Sequence, residues 1–213
     1  MPFLDLVDFC QLDCKHCYLN KCSRVMPLDM LRTICEDFLK TDFPLSQSEL
    51  ILSGGEPLLH PKFVEASNIV RKLNGHITMS TNGILIPKFI HTFQRNDGIQ
   101  VIIDGDEKAH DFIRGKGSYE KAVRALKLLD EHGIRHSISF TINQANKHCT
   151  DHIIDLCVGT HQVYGMDRDE EICCKANGKE RAMFARRLYR GRVHRPNTGF
   201  ECSSRWHLLG LFS

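Results

Sequence analysis

Along the first 166 residues, short runs of β-branched and apolar residues alternate with longer segments whose apolar positions recur at helical spacing. No other feature constrains the chain as much, because repeated βα units build a parallel sheet with helices packed against it. Six strands are predicted, over residues 3–9, 49–53, 76–81, 99–103, 135–142 and 161–166. Between them lie helices with one apolar stripe each: Leu28, Leu31, Cys35 and Phe38; Phe63, Ala66, Ile69, Val70 and Leu73; Ala122, Leu126 and Leu129. Ser118 is the predicted N-cap of the last of these, with Glu120 in its first turn, and Gly133 its C-terminal cap. Beyond about residue 167 the pattern decays into a charge cluster at 167–171, a predicted basic helix at 180–189 and a loop at 195–199. The expected organisation is therefore an α/β core over 1–166 and a C-terminal extension over 167–213.

Ten cysteines in 213 residues raise the question of disulfides, yet no basic region followed by an apolar stretch opens the chain. A cytoplasmic protein is expected, with cysteines serving as metal ligands or buried thiols. No apolar run reaches the roughly 20 residues of a membrane helix. The 28 basic and 26 acidic residues give a net charge of +2, so nothing in the bulk electrostatics calls for a membrane surface or nucleic acid.

Spacing decides which cysteines matter. Directly after the first predicted strand stand Cys10, Cys14 and Cys17 in one compact loop. A structural zinc site takes four closed ligands, whereas three thiolates on a cuboidal iron-sulfur cluster leave one iron open to a ligand. On spacing alone, a zinc site completed by His16, Cys22 or a distant cysteine, or a set of buried thiols, stays open beside the cluster. At the end of the second strand is Leu52-Ser53-Gly54-Gly55-Glu56-Pro57-Leu58, where two glycines expose backbone and Pro57 fixes the exit. Carbonyls there can accept from an ammonium group; a tight turn is the plainer reading of the same residues.

Taken together, these two motifs resemble the radical S-adenosylmethionine superfamily in type, order and separation. The resemblance implies a partial (β/α)6, TIM-like barrel with a 4Fe-4S cluster on Cys10, Cys14 and Cys17. It also implies S-adenosylmethionine as cofactor, cleaved reductively to a 5′-deoxyadenosyl radical that abstracts a substrate hydrogen. By the same resemblance His16 lies by the adenine, and the Gly54-Gly55-Glu56 backbone binds the methionine amino group. Ser80 and Asn82 in Ser80-Thr81-Asn82-Gly83, Asp104 in Ile102-Ile103-Asp104-Gly105, Arg114, and Asn143 after the fifth strand are further candidate cofactor contacts. For Asp104 a substrate contact or a turn-shaping role is equally open.

The strand-four region is similar to the SPASM branch, whose members modify peptides and proteins. Where they often read Ser-Leu-Asp-Gly this chain has Ile102, which removes a hydroxyl. Cys202-Ser-Ser-Arg-Trp206 looks like the opening of the SPASM auxiliary domain, and the sequence stops three residues after Gly210, as a short enzyme or a truncated product would. Cys173, Cys174 and Cys202 with Cys149 or a histidine form a conceivable but unpaired auxiliary set, Cys35 and Cys157 read as buried apolar residues, and Cys22 as a loop thiol.

The expected function is thus a radical enzyme acting on a peptide or protein side chain, with a reductant such as flavodoxin or ferredoxin as its other partner. The alternatives are modification of a small molecule such as a tetrapyrrole, or an inactive fragment or metal-stabilised binding protein. In the last case the basic residues from Arg181 to Arg195 would grip a partner; a solvated face is the commoner meaning of such a run.

Overall fold

The structure, a computed structural model, describes residues 3–40, 50–157, 162–167, 171–175 and 183–186. All six predicted strands are present: β1 (Phe3–Val7), β2 (Ile51–Gly54), β3 (Thr78–Thr81), β4 (Gly98–Ile102), β5 (His136–Ile142) and β6 (Gln162–Asp167). Each pairs in parallel with the next in chain order. Consecutive order has a consequence. Parallel crossovers are right-handed, so successive connections that always step the same way set their helices on the same face. The sheet then curls as part of a barrel, as expected, instead of being covered on both sides.

Those helices are α1 (Leu28–Lys40), α2 (Phe63–Asn74), α3 (Ile86–Phe89), α4 (Glu107–Arg114), α5 (Ser118–Glu131) and α6 (Thr150–Cys157). One hydrophobic cluster joins strand residues Leu4, Leu6, Leu52, Met79, Ile99, Val101, Ile138 and Phe140, and Ile103 just after β4, to Leu31, Phe63, Ala66, Ala122, Leu126, Leu129 and Ile153 of the helices. Cys35 and Cys157 sit in this core, as expected. Because strand side chains alternate, the residues between them face the other way. They differ in kind. Asp5 lies beside Ser53, Ser80 beside Gln100 and Gln100 beside Ser137, and extending the β2–β3 register by one residue sets Ser53 beside Ser80. A polar row therefore crosses the inner face of five strands.

Two local expectations change. Ser118 is the first residue of α5 and not its cap, because the preceding position is Gly117 at φ 75°. Capping falls to Asp111 at the end of α4, whose carboxylate accepts from the Tyr119 N–H at 2.9 Å and the Gly117 N–H at 2.5 Å. Gly133 holds the left-handed position after the helix, one residue beyond the C-cap His132. The basic helix predicted over 180–189 is overturned at 183–186, where β8 (Met183–Arg186) pairs antiparallel with β7 (Glu171–Lys175), itself antiparallel to β6. Sheet pairing overrides a weak local propensity there. The 195–199 loop and Cys202 lie outside the described residues. Among the described residues no helix is long and apolar enough to cross a membrane.

Candidate functional site

The C-terminal ends of β1 to β5 converge on one rim. At β2 the two glycines let backbone approach backbone. A Cβ on Gly55 would lie 2.1 Å from the Phe9 carbonyl oxygen, and one on Gly54, at φ 126°, 2.3 Å from that of Val7. This contact lets the Gly55 N–H donate to the Val7 carbonyl at 2.8 Å and the Glu56 N–H to the Phe9 carbonyl at 3.0 Å. The start of the cysteine loop is thereby fixed, one residue before Cys10.

The same loop is closed at its far end. Asp8, buried, accepts from the Arg24 guanidinium and, at 3.4 Å, from the Cys22 thiol, while the Cys22 N–H donates to the Asp8 carbonyl at 3.1 Å. Cys22, expected as a plain loop thiol, thus helps to shut the loop. In between, the Lys15 N–H donates to the Ile113 carbonyl at 2.9 Å, and Lys15 Nζ sits 3.2 Å above the Phe112 ring, tying the loop to α4.

Cys10, Cys14 and Cys17 are carried on this loop, the first two half-buried and the third exposed. Cys10 Sγ accepts from the Leu12 N–H at 3.4 Å and from Asn82 Nδ2 at 3.5 Å. Arg114 Nη1 approaches Cys14 Sγ at 3.8 Å. Burial pushes both thiols above the usual cysteine value. Donors directed at sulfur suit a thiolate, and a bound metal centre removes the proton that burial would otherwise hold on. Among the described residues, the group whose ligand atoms all lie within 4.8 Å of one another is a different one: Asp106, His148 and Cys149. A cuboidal cluster spreads its thiolates over separate irons and needs no such convergence. The donor set fits a three-thiolate cluster.

Two buried carboxylates organise the surroundings. Glu56 is fully buried; its carboxylate accepts from the Leu58 N–H at 3.2 Å, the Thr81 hydroxyl at 2.7 Å and the Asn82 N–H at 2.9 Å. Burial pushes its carboxyl up to about 7 despite those donors. Glu56 thus joins the end of β2 to that of β3 and sets Asn82 against Cys10. Asn82 Oδ1 in turn accepts from Gln11 Nε2 at 3.2 Å and the Ile84 N–H at 3.0 Å.

Asp104, also fully buried, plays the corresponding part between β4 and β5. Arg114 Nε donates to its Oδ2 at 2.5 Å, His16 Nε2 lies 3.5 Å from the same oxygen, and the Thr141 N–H donates to Oδ1 at 3.3 Å. Arg114 Nη2 reaches His16 Nε2 at 3.4 Å. Asp104 is therefore the anchor of the Arg114–His16 pair. The Asp104 N–H donates to His110 Nδ1 at 3.0 Å, which makes that nitrogen the acceptor; burial, then the Arg114 charge, push His110 down to about 4.

The structure brings Cys10, Gly55, Glu56 and Asn82 together on one side of the rim and Cys14, His16, Asp104 and Arg114 on the other. Ser80 stands half-buried on the inner polar row. Asn143 turns to its own loop, its Oδ1 accepting from the Ala145 N–H at 2.8 Å. The residue that ties this loop to the sheet is Asn146, fully buried, whose Nδ2 donates to the Thr141 and Asp104 carbonyls at 2.9 and 3.2 Å. Asn146, His110 and Thr81 escape a sequence reading, because their partners are main-chain groups or residues brought close only by the fold.

A family profile described as the Radical SAM superfamily matches residues 4–157. Pre-heme d1 synthase of Dinoroseobacter shibae is 30% identical over 152 residues, covering 70% of this chain and 38% of its own length. The antilisterial bacteriocin subtilosin biosynthesis protein AlbA of Bacillus subtilis is 28% identical over 151 residues, 67% of this chain and 33% of its own. The chain spans well under half the length of either relative. The crystal structure of SuiB from Streptococcus suis, bound to its precursor peptide SuiA, aligns with a TM-score of 0.65 at 16% identity, covering 78% of this chain and 38% of SuiB. That likeness is one of fold.

Proposed function

Since the chain belongs to the radical SAM superfamily, we propose that it is an enzyme that holds a 4Fe-4S cluster on Cys10, Cys14 and Cys17 and acts on a peptide or protein side chain. The observation that carries the first half is the donor arrangement: Asn82 and Leu12 face one sulfur and Arg114 another, from opposite sides of the rim. When bound, the cluster and S-adenosylmethionine supply reductive carbon-sulfur cleavage and a hydrogen-abstracting radical. The protein positions and shields. With the cofactor bound, the carbonyls of Gly54 and Gly55 would accept from its amino group, Arg114 would supply a positive charge beside Cys14, and His16 would lie by the adenine.

The inner polar row supports the peptide reading. Ser53, Ser80, Gln100 and Ser137 offer donors and acceptors matched to amide groups, and Asp5 adds a carboxylate that burial, then Asp8, push up to about 6. A tetrapyrrole bearing several carboxylates would meet Asp5 unfavourably when both are ionised. The similarity to pre-heme d1 synthase nevertheless favours modification of a tetrapyrrole as the second reading. The extension over 167–213 is read as the start of a SPASM-like domain, and a flavodoxin or ferredoxin as the electron donor.

The test is anaerobic reconstitution with iron and sulfide, followed by dithionite-dependent formation of 5′-deoxyadenosine, with Cys14→Ala for comparison. About four irons per chain, with cleavage lost in the variant, is the expected result. A folded protein that binds zinc or no metal and cleaves nothing would overturn it. Deuterium transfer into 5′-deoxyadenosine from labelled peptide, and not from a labelled tetrapyrrole, is expected to separate the two substrate classes.

A further inference from the structure

Beside Gly105 lies a second set of metal-ligating groups. Asp106, at the end of the Asp104-Gly105-Asp106 turn, and His148 and Cys149, in the 3-10 turn Lys147–Cys149 after β5, bring one carboxylate oxygen, one imidazole nitrogen and one sulfur all within 4.8 Å of one another. We propose that Asp106, His148 and Cys149 hold a divalent first-row metal ion, zinc by preference, separate from the cysteine triad.

Chemistry and space agree on this. Sulfur, nitrogen and oxygen donors on one centre suit zinc, with three protein ligands and a water in the fourth position. Zinc bonds of about 2.3 Å to sulfur and about 2.0 Å to nitrogen put tetrahedral ligand atoms roughly 3.5 Å apart, so the set has to close by about 1.3 Å at most. The residues differ in their freedom to do so. Cys149 is fixed: it is buried, and Gly105 is the residue that admits it, since a Cβ there would lie 3.0 Å from the Cys149 sulfur. Asp106 is committed twice: Oδ1 caps α4 by accepting from the Ala109 N–H at 2.8 Å, and the carboxylate is hydrogen-bonded with the Cys149 thiol, whose proton a bound ion would displace. His148 is exposed and has room to swing onto the site. An open surface hollow lined by Asp106, Glu107, Lys108 and Asp111 adjoins the set and supplies an approach from solvent.

An ion at this point would join the start of α4 to the turn after β5. α4 is the helix that ends in Arg114, so the ion would stiffen the support of the residue facing Cys14.

The test uses the full chain with its cluster reconstituted, so that the triad thiols are occupied, then equilibrated with zinc chloride and desalted. The expected result is about one zinc per chain. X-ray absorption at the zinc edge should show one sulfur at about 2.3 Å among nitrogen and oxygen neighbours near 2.0 Å. His148→Ala, an exposed position with no part in the core, should lose that zinc. Asp106→Asn, which keeps an oxygen for the helix cap, should weaken it by at least about tenfold. Equal zinc in the wild type and His148→Ala, or a zinc shell made only of sulfur, would overturn the proposal.

Discussion

Replacing Gly55 by alanine tests the close approach on which the cysteine loop depends. The added Cβ would sit 2.1 Å from the Phe9 oxygen and 2.4 Å from its carbonyl carbon, against a closest tolerated approach of 3.0 Å, so the two strand ends must part by at least 0.9 Å. Both are backbone atoms, and no rotamer relieves the clash. Parting them breaks the bonds Gly55 N–H to Val7 and Glu56 N–H to Phe9, at about 1 kcal/mol each. Overpacking adds about 1–3 kcal/mol, for a total of about 3–5 kcal/mol. Gly75→Ala is the control. Unlike Gly55, Gly75 has a positive φ, 76°, but nothing lies within 4 Å of its added Cβ, so only about 1 kcal/mol of left-handed strain applies. Guanidinium unfolding of both variants without metal gives the difference, and iron content after reconstitution reports whether Cys10 has moved. If Gly55→Ala matches Gly75→Ala in stability and binds as much iron as the wild type, the close-approach argument is wrong.

Further predictions concern the two buried carboxylates and their partners. Arg114→Met takes the guanidinium from buried Asp104 and leaves it only the Thr141 N–H and His16, at a cost of about 3–5 kcal/mol in guanidinium unfolding, and adding Asp104→Leu should recover much of it. Asn82→Ala removes the amide donor to Cys10, so the reconstituted cluster should show a lower reduction potential in a redox titration; an unchanged potential would mean that the bond to sulfur is not made. Glu56 has a folded value of about 7 against 4.5 in the open chain, so the stability it contributes is present below the lower value and lost as pH rises through the higher one. Glu56→Gln should flatten that fall. His110, held down to about 4 from 6.5, works in the opposite direction, its contribution being present above 6.5 and lost as pH drops toward 4. His110→Asn should therefore lessen the acid sensitivity, read as unfolding midpoints across the same range.

Much of the scaffold was legible because its signals are periodic. Six strands and the three striped helices α1, α2 and α5 follow from alternation of spacing, and the two motifs stand at the ends of β1 and β2, where a barrel concentrates its chemistry. Where local signals misled, a residue distant in sequence or a neighbouring strand had taken over. Asp111 caps α5 in place of Ser118, and strand pairing claims 183–186 although the run is basic. The roles of Glu56 and Asp104 were legible only in part. Both were singled out as contacts, yet their oxygens are occupied by Thr81, Asn82, Arg114 and Thr141, partners that only the parallel register brings near.

The cysteine loop is anchored to two separate parts of the rim: Cys10 to the β2–β3 corner through Asn82, and Cys14 and Lys15 to α4 and the β4–β5 corner through Arg114 and Ile113. A rigid inorganic cube held by both ends of that loop would act as a clasp across the mouth of the barrel. Loading it should slow amide hydrogen exchange at Asn82 and at Ile113 together, although they stand 31 positions apart in the sequence. Cluster assembly would then be the last step in setting the width of the opening through which a substrate must pass.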